Sequence, residues 1–172
     1  LCGTMSVGKT TLVNALKELE QFKGYKFATE RSQHLMSLGI PLNTDSTLKG
    51  QTVFLAERCG ELMHDNIITD RTILDVMAFT MNAKSIPYQD KEAFETYASE
   101  FIREYDHIFY ISPHGLEIED NGIRETDEHY RDLIDFTITT LIKRHGHKAG
   151  KIEKISGSTE ERIQQILTIT EL

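Results

Sequence analysis

The chain has 172 residues, about what one hydrophobic core serves, so one domain with one site is expected. Hydrophobic residues make up 39% and charged residues 27%, which excludes a disordered or collagen-like chain, and the short apolar runs exclude a membrane-spanning helix. Nineteen Lys and Arg against 27 Asp and Glu leave a net charge of −8, which opposes broad coating of a phosphate polymer while leaving room for a local basic groove. The expectation is a soluble, cytoplasmic protein with no membrane partner. Cys2 and Cys59 match no metal spacing and are too few for a disulfide scaffold, so both read as reduced.

In chain order, residues 9 to 23 set Leu12, Leu16 and Leu19 on one stripe, which predicts an amphipathic helix ended by Gly24. A short strand is predicted over 25–29. A long helix follows from Asp45 to about Asn66, with Asp45 and Ser46 as N-cap candidates and Leu48, Phe54, Leu55, Leu62 and Met63 as its apolar residues. Ile67, Ile68 and Thr69 read as a buried strand ending at Asp70, and a helix over 72–84 stops before Pro87. The next helix, 90–105, carries Phe94, Tyr97, Ala98, Phe101, Ile102 and Tyr105 as a core stripe. Residues 107 to 112 (HIFYIS) read as a central strand. The polar run 113–128, with Pro113, Gly115 and Gly122, reads as a mobile loop. Tyr130, Leu133, Ile134, Ile138, Leu141 and Ile142 define a strongly periodic helix to Gly146, and 151–156 is a strand before a last helix capped by Ser158. Strands alternating with helices predict an α/β domain, a parallel sheet with helices on both faces. Only Leu1 and Cys2 precede Gly3, too few for a strand of the usual five or six residues, so a first strand beginning upstream of Leu1 is expected.

Residues 3 to 10 read Gly-Thr-Met-Ser-Val-Gly-Lys-Thr, the pattern GxxxxGK(S/T) opening directly into a helix. Glycines let the backbone curl so that its N–H groups converge, the helix N-terminus adds positive potential, Lys9 reaches terminal phosphates and Thr10 offers a hydroxyl to Mg²⁺. Gly3, Ser6, Val7, Gly8, Lys9, Thr10 and Thr11 are therefore the nucleotide-binding candidates. The sequence has neither the Asn-Lys-x-Asp nor the Asp-x-x-Gly motif of signalling GTPases. Its strand-end pair is Asp70-Arg71 rather than the two acids of a motor ATPase, which fits a kinase of small acceptors better.

Asp70, at the carboxyl end of a strand, is the candidate to hold Mg²⁺ or to accept the acceptor's proton, and Arg71 to clamp the acceptor or a phosphate. The alternative for Asp70 is to cap the helix beginning at Thr72. Glu30, followed by Arg31 after the second strand, is the rival base, or a helix N-terminal acid. Arg124 in the phrase 119–124 and Arg131 on the following helix could close over the moving phosphoryl as a lid spanning about 113–131, or be plain surface cations. Gly157, in the turn Ser156-Gly157-Ser158, is a candidate border for the nucleotide base. His145 and His147, without a third ligand, read as partners of helix-end carbonyls rather than a metal site.

This ordered set resembles the P-loop kinases similar to the nicotinamide riboside kinase domain of NadR-type proteins, relatives of thymidylate and deoxynucleoside kinases. The resemblance rests on GTMSVGKTTL at 3–12, Glu30-Arg31, Gln51 in the long helix, IITDRTILDVMAFT at 67–80, HIFYISP at 107–113 and EDNGIRETDEHYR at 119–131. It implies a P-loop NTPase fold, a three-layer sandwich around a five-stranded parallel sheet of order 2-3-1-4-5 with the strand before Gly3 counted first, and a helical lid. It implies ATP and Mg²⁺ at Gly8, Lys9 and Thr10, with Asp70 as the strand-end acid, Arg124 and Arg131 as lid arginines, and Glu30, Arg31, Gln51 and Arg71 toward the acceptor. Nicotinamide riboside kinases tend to carry a tryptophan before the lid phrase, whereas this chain has none and places Leu116, Glu117 and Ile118 there. The expected activity is γ-phosphoryl transfer from ATP to a nucleoside- or nucleotide-like acceptor. The alternatives are a kinase of hydroxymethylated bases in DNA and a non-catalytic module that binds ATP or GTP.

Overall fold

The computed structural model describes residues 1–29, 32–114 and 127–172. Among the described residues, four strands are interspersed with seven α-helices: α1 (Lys9–Lys17), β1 (Lys26–Ala28), α2 (Ser32–Ser37), α3 (Leu48–Glu61), β2 (Ile67–Thr69), α4 (Ile73–Asn82), α5 (Tyr88–Ala98), β3 (His107–Ile111), α6 (Glu128–His145), β4 (Lys151–Ile155) and α7 (Thr159–Thr170). β1 pairs in parallel with β2, with Phe27 opposite Ile68. β3 pairs in parallel with β4 from His107 opposite Lys151 to Ile111 opposite Ile155. The chain start lies between the two pairs: the Leu1 amino group donates to the Thr69 carbonyl at 2.7 Å, while the Cys2 N–H donates to Phe109 O and the Cys2 carbonyl accepts from Ile111 N, each at 2.9 Å.

The period of two along β3 sends its residues into different cores. Ile108 and Tyr110 join the cluster built with α3, α4, α5 and α6, whereas Phe109 and Ile111 join the cluster built with α1 and α7. A strand apolar on both sides is a buried strand, so the helices form two layers around the strands. On α6, Ile134, Ile138 and Leu141 bury their side chains against the first cluster, and each such burial stabilises the fold by roughly 1.5–3 kcal/mol. On the opposite layer Leu12 and Leu16 of α1 meet Ile166 of α7. Among the described residues no helix is long and apolar enough to cross a membrane.

Several boundaries depart from the sequence expectation. α1 stops at Lys17 rather than 23, and a 3-10 turn over Glu20–Phe22 carries the chain to Gly24. α3 is capped by neither Asp45 nor Ser46: the Thr47 hydroxyl accepts from the Gly50 N–H, and Asp45 closes a separate 3-10 turn. α5 ends at Ala98 and continues as a 3-10 helix over Ser99–Glu104. The buried face of α5 is Phe94, Glu95 and Ala98, which leaves Tyr97 off the core stripe and 63% exposed, edge-on to Phe101. The loop expected over 113–128 lies mostly outside the described residues.

Candidate functional site

Residues 3 to 10 wrap around their own lysine. The Lys9 ammonium is buried and donates to the carbonyls of Gly3 at 2.7 Å and Thr4 at 2.6 Å. Burial first, and Arg71 second, push Lys9 below the ordinary lysine value, while Asp75 and Asp70 pull it back. The loop needs its glycines for two reasons. A Cβ on Gly3 would stand 2.5 Å from the Ile111 carbonyl oxygen, and Gly8 has a left-handed φ of 80° as the residue leading into α1. Ser6 also has a positive φ, and a loop of this curvature turns successive N–H groups inward as an anion cradle. Val7 is buried in the α1/α7 core, while Thr10 and Thr11 lie on the open side of α1's first turn.

Asp70 follows β2 and meets this loop. The Thr10 hydroxyl donates to Asp70 Oδ2 at 2.5 Å. The expected alternative, Asp70 as cap of the next helix, is not what the structure has: Thr72 is the N-cap of α4, and the Asp75 carboxylate accepts from its N–H and its hydroxyl. Asp70 is therefore free of the helix end and turned to Thr10. Both sides of the peptide that follows it are held. The Asp70 carbonyl accepts from Nη1 of buried Arg58 at 3.3 Å, and the Arg71 N–H donates to Leu1 O at 3.0 Å. Arg71 has a positive φ of 99°, and its guanidinium lies 5.1 Å over the Phe79 ring. A hydroxyl and a carboxylate oxygen side by side are hard oxygen donors, of the type that could hold a divalent cation such as Mg²⁺.

Gln51 is buried on the α3 face that also carries Arg58. Arg131, on the first turn of α6, is buried, and its carbonyl accepts from the Thr4 hydroxyl at 3.3 Å, which seats α6 on the loop. Gly157 takes a left-handed φ of 94° between β4 and the capping box of Ser158 and Glu161. Glu30, Arg31 and Arg124 lie outside the described residues. The structure thus gathers Gly3 to Thr10, Asp70, Arg71 and Arg131 around one loop.

Three residues that the sequence reading passed over hold this region. Asp75 Oδ1 accepts from the Gly3 N–H at 3.1 Å, tying the loop's first residue to α4. Arg58 braces Asp70, and Arg162 of α7 donates through Nη1 to the Val7 carbonyl at 2.7 Å. Only Asp75 had a readable signal, the Thr-x-x-Asp pattern of a helix start at 72–75. His145 has a different partner from the one expected, its Nε2 lying 2.7 Å from Glu95 Oε1. A cleft of about 670 Å³ opens at the other end of the strands, lined by Asn66, Ile67, Tyr105 and His107, and is not part of this site.

The fold is shared with solved kinases. The structure of deoxyadenosine kinase from M. mycoides with the products dCMP and a flexible dCDP bound superposes with a TM-score of 0.65 at 19% identity, covering 98% of this chain and 95% of that one. The structure of the same enzyme with bound dCTP gives a TM-score of 0.64 at 19% identity, covering 99% and 96%. This likeness shows a P-loop kinase fold. No curated protein matches the chain in sequence. A family described as AAA domain matches residues 1–162, nearly the whole length, and the chain belongs to that family.

Proposed function

We propose that this protein is a cytoplasmic, ATP- and Mg²⁺-dependent kinase that transfers the γ-phosphoryl group to a nucleoside- or nucleotide-like acceptor. The observation that carries the reading is the Thr10 to Asp70 hydrogen bond beside the lysine-filled loop, which joins a phosphate cradle to a strand-end acid. In this reading Leu1 and Cys2 belong to the central strand of a sheet of order 2-3-1-4-5, and the chain is one kinase domain.

Lys9 and the inward N–H groups of the loop hold the phosphates. Thr10 and Asp70 would hold Mg²⁺, which, when bound, neutralises charge on the phosphate oxygens. Asp70 or Glu30 orients the acceptor hydroxyl and takes its proton as the new oxygen–phosphorus bond forms and the bond to the β–γ bridging oxygen breaks. Arg31, Gln51 and Arg71 contact the acceptor. Arg124 and Arg131 close over the moving group, countering its charge and excluding water, and Gly157 borders the base. The dCMP, dCDP and dCTP bound to the structural neighbour support deoxynucleosides as the first acceptors to consider, ahead of nicotinamide riboside and of DNA carrying hydroxymethylated bases.

The test is a phosphoryl-transfer assay with γ-labelled ATP and Mg²⁺ against nucleosides, deoxynucleosides, nucleotides, nicotinamide riboside and an oligonucleotide containing hydroxymethyluracil. Label on a deoxynucleoside or its monophosphate supports the reading. Tight ATP binding with no product on any acceptor would replace it with a nucleotide-binding module, and absence of ATP binding would overturn the site itself.

A further inference from the structure

The mechanism above leaves a buried cation beside the loop without a task. Arg162 sits on the first turn of α7 and is only 7% exposed. Its Nη1 donates to the Val7 carbonyl at 2.7 Å, and the same atom would be 3.2 Å from a Cβ built on Gly8. Among the described residues its Nε has no hydrogen-bond partner. Burial lowers its pKa, and among the described residues no carboxylate pairs with it. A guanidinium withdrawn from water without a counter-charge destabilises the fold on its own account, and an uncharged side chain of similar length would fill the space at lower cost.

The Val7–Gly8 peptide gives that cation a use. In a planar trans peptide the C=O and the following N–H point in opposite directions. Arg162 holds the Val7 carbonyl on the α7 side, so the Gly8 N–H points away from α7, out of the other side of the same peptide. The Gly8 carbonyl is already committed to α1 through Leu12 N at 3.0 Å. With both neighbouring carbonyls fixed, the Gly8 N–H is set before any ligand arrives, and such preorganisation spares the ordering cost that binding would otherwise carry.

We propose that Arg162 is a positioning residue for the phosphate cradle: by holding the Val7 carbonyl on the α7 side it aims the Gly8 N–H at a nucleotide phosphate, and its positive charge adds to the field that attracts that phosphate. This role rests on the nucleotide-binding reading of the loop. It makes Arg162 specific for the phosphate part of the ligand, not for the nucleoside.

The experiment compares binding of ATP, ADP and adenosine to the unsubstituted protein, Arg162→Met and Arg162→Lys by calorimetry, with thermal unfolding of each free protein. Arg162→Met is expected to weaken ATP and ADP by about tenfold to a hundredfold, the range for loss of a hydrogen bond from a charged donor, with adenosine unchanged and Arg162→Lys close to the unsubstituted protein. Equal ATP affinity in Arg162→Met would overturn the role, as would equal losses for ATP and adenosine, the sign of a merely structural brace. Should the Met variant fail to fold, the Gly8 amide resonance of the unsubstituted protein decides. A shift on adding ATP but not adenosine supports the role, and no shift with ATP overturns it. If the unsubstituted protein binds adenosine and ATP equally, or binds neither, the nucleotide reading itself falls and this role with it.

Discussion

Asp75 offers the sharpest test of how the loop is held to the fold. Its carboxylate is fully buried and accepts from Gly3 N at 3.1 Å, Thr72 N at 2.7 Å and the Thr72 hydroxyl at 2.8 Å. Replacing it with alanine leaves two backbone N–H groups with no acceptor in a region that water does not enter, whereas the hydroxyl can rotate to another partner. Each orphaned donor costs about 1–3 kcal/mol, so Asp75→Ala should destabilise by roughly 2–6 kcal/mol. For a domain whose total stability is of order 5–15 kcal/mol, that is a large share, and at about 2–4 °C per kcal/mol it lowers Tm by roughly 4–24 °C. Asp75→Asn keeps one carbonyl oxygen and should recover part of the loss. Urea denaturation followed by circular dichroism measures it, with the transition midpoint falling and its slope unchanged. A change below about 1 kcal/mol for Asp75→Ala would refute the claim that this carboxylate is the acceptor for both N–H groups.

Asp70→Asn should lower turnover by about 10²–10⁴ with ATP affinity little changed, measured by steady-state kinetics beside direct binding; turnover left intact in Asp70→Asn and abolished in Glu30→Gln would make Glu30 the base. Gly3→Ala puts a Cβ 2.5 Å from the Ile111 backbone oxygen, so it should lower both Tm and nucleotide affinity, and an unchanged Tm would contradict that contact. Burial would raise the Glu95 pKa, but hydrogen bonds from His145 and Arg144 overcome it and hold the group below its ordinary 4.5. A depressed carboxylate contributes stability that is present above its unfolded value and lost as pH falls through the folded one. The acid limb of a stability–pH curve should therefore be shallower in Glu95→Gln, and superimposable limbs would refute the assignment.

What the sequence made legible follows the strength of its local signals. β2 was read to the residue because Ile67-Ile68-Thr69 stands between polar flanks, and the α6 region because Tyr130, Ile134, Ile138 and Leu141 repeat at helical spacing and are buried, although Leu133, read on the same stripe, faces solvent at 48% exposure. α2 was missed because its six residues bury a single leucine, Leu35, so no stripe exists to be seen. The start of α3 was misplaced because Asp45, Ser46 and Thr47 are all competent caps, and the choice falls to whichever hydroxyl or carboxylate reaches the Gly50 N–H. Tyr97 was misassigned because the helix buries Phe94, Glu95 and Ala98, and a buried acid, Glu95, took a place on the face where the pattern expected an aromatic ring.

The site divides in a similar way, between groups that would touch a ligand and groups that touch the backbone. Gly3, Gly8, Lys9 and Thr10 were readable because phosphate chemistry demands those residue types at fixed spacing along one continuous segment. Asp75, Arg58 and Arg162 come from three separate helices, and each binds a main-chain group of the loop or of Asp70. No spacing rule links them, since any side chain that reaches a carbonyl or an N–H could serve, and which one reaches is decided only when α3, α4 and α7 pack. Yet each meets the peptide of a residue the sequence does flag: Asp75 that of Gly3, Arg58 that of the strand-end Asp70, Arg162 the one that carries the Gly8 N–H. The motif therefore specifies what the ligand would meet, and the surrounding helices specify where it is held. A change in any of the three braces should act on the site without altering a residue that the sequence pattern would flag.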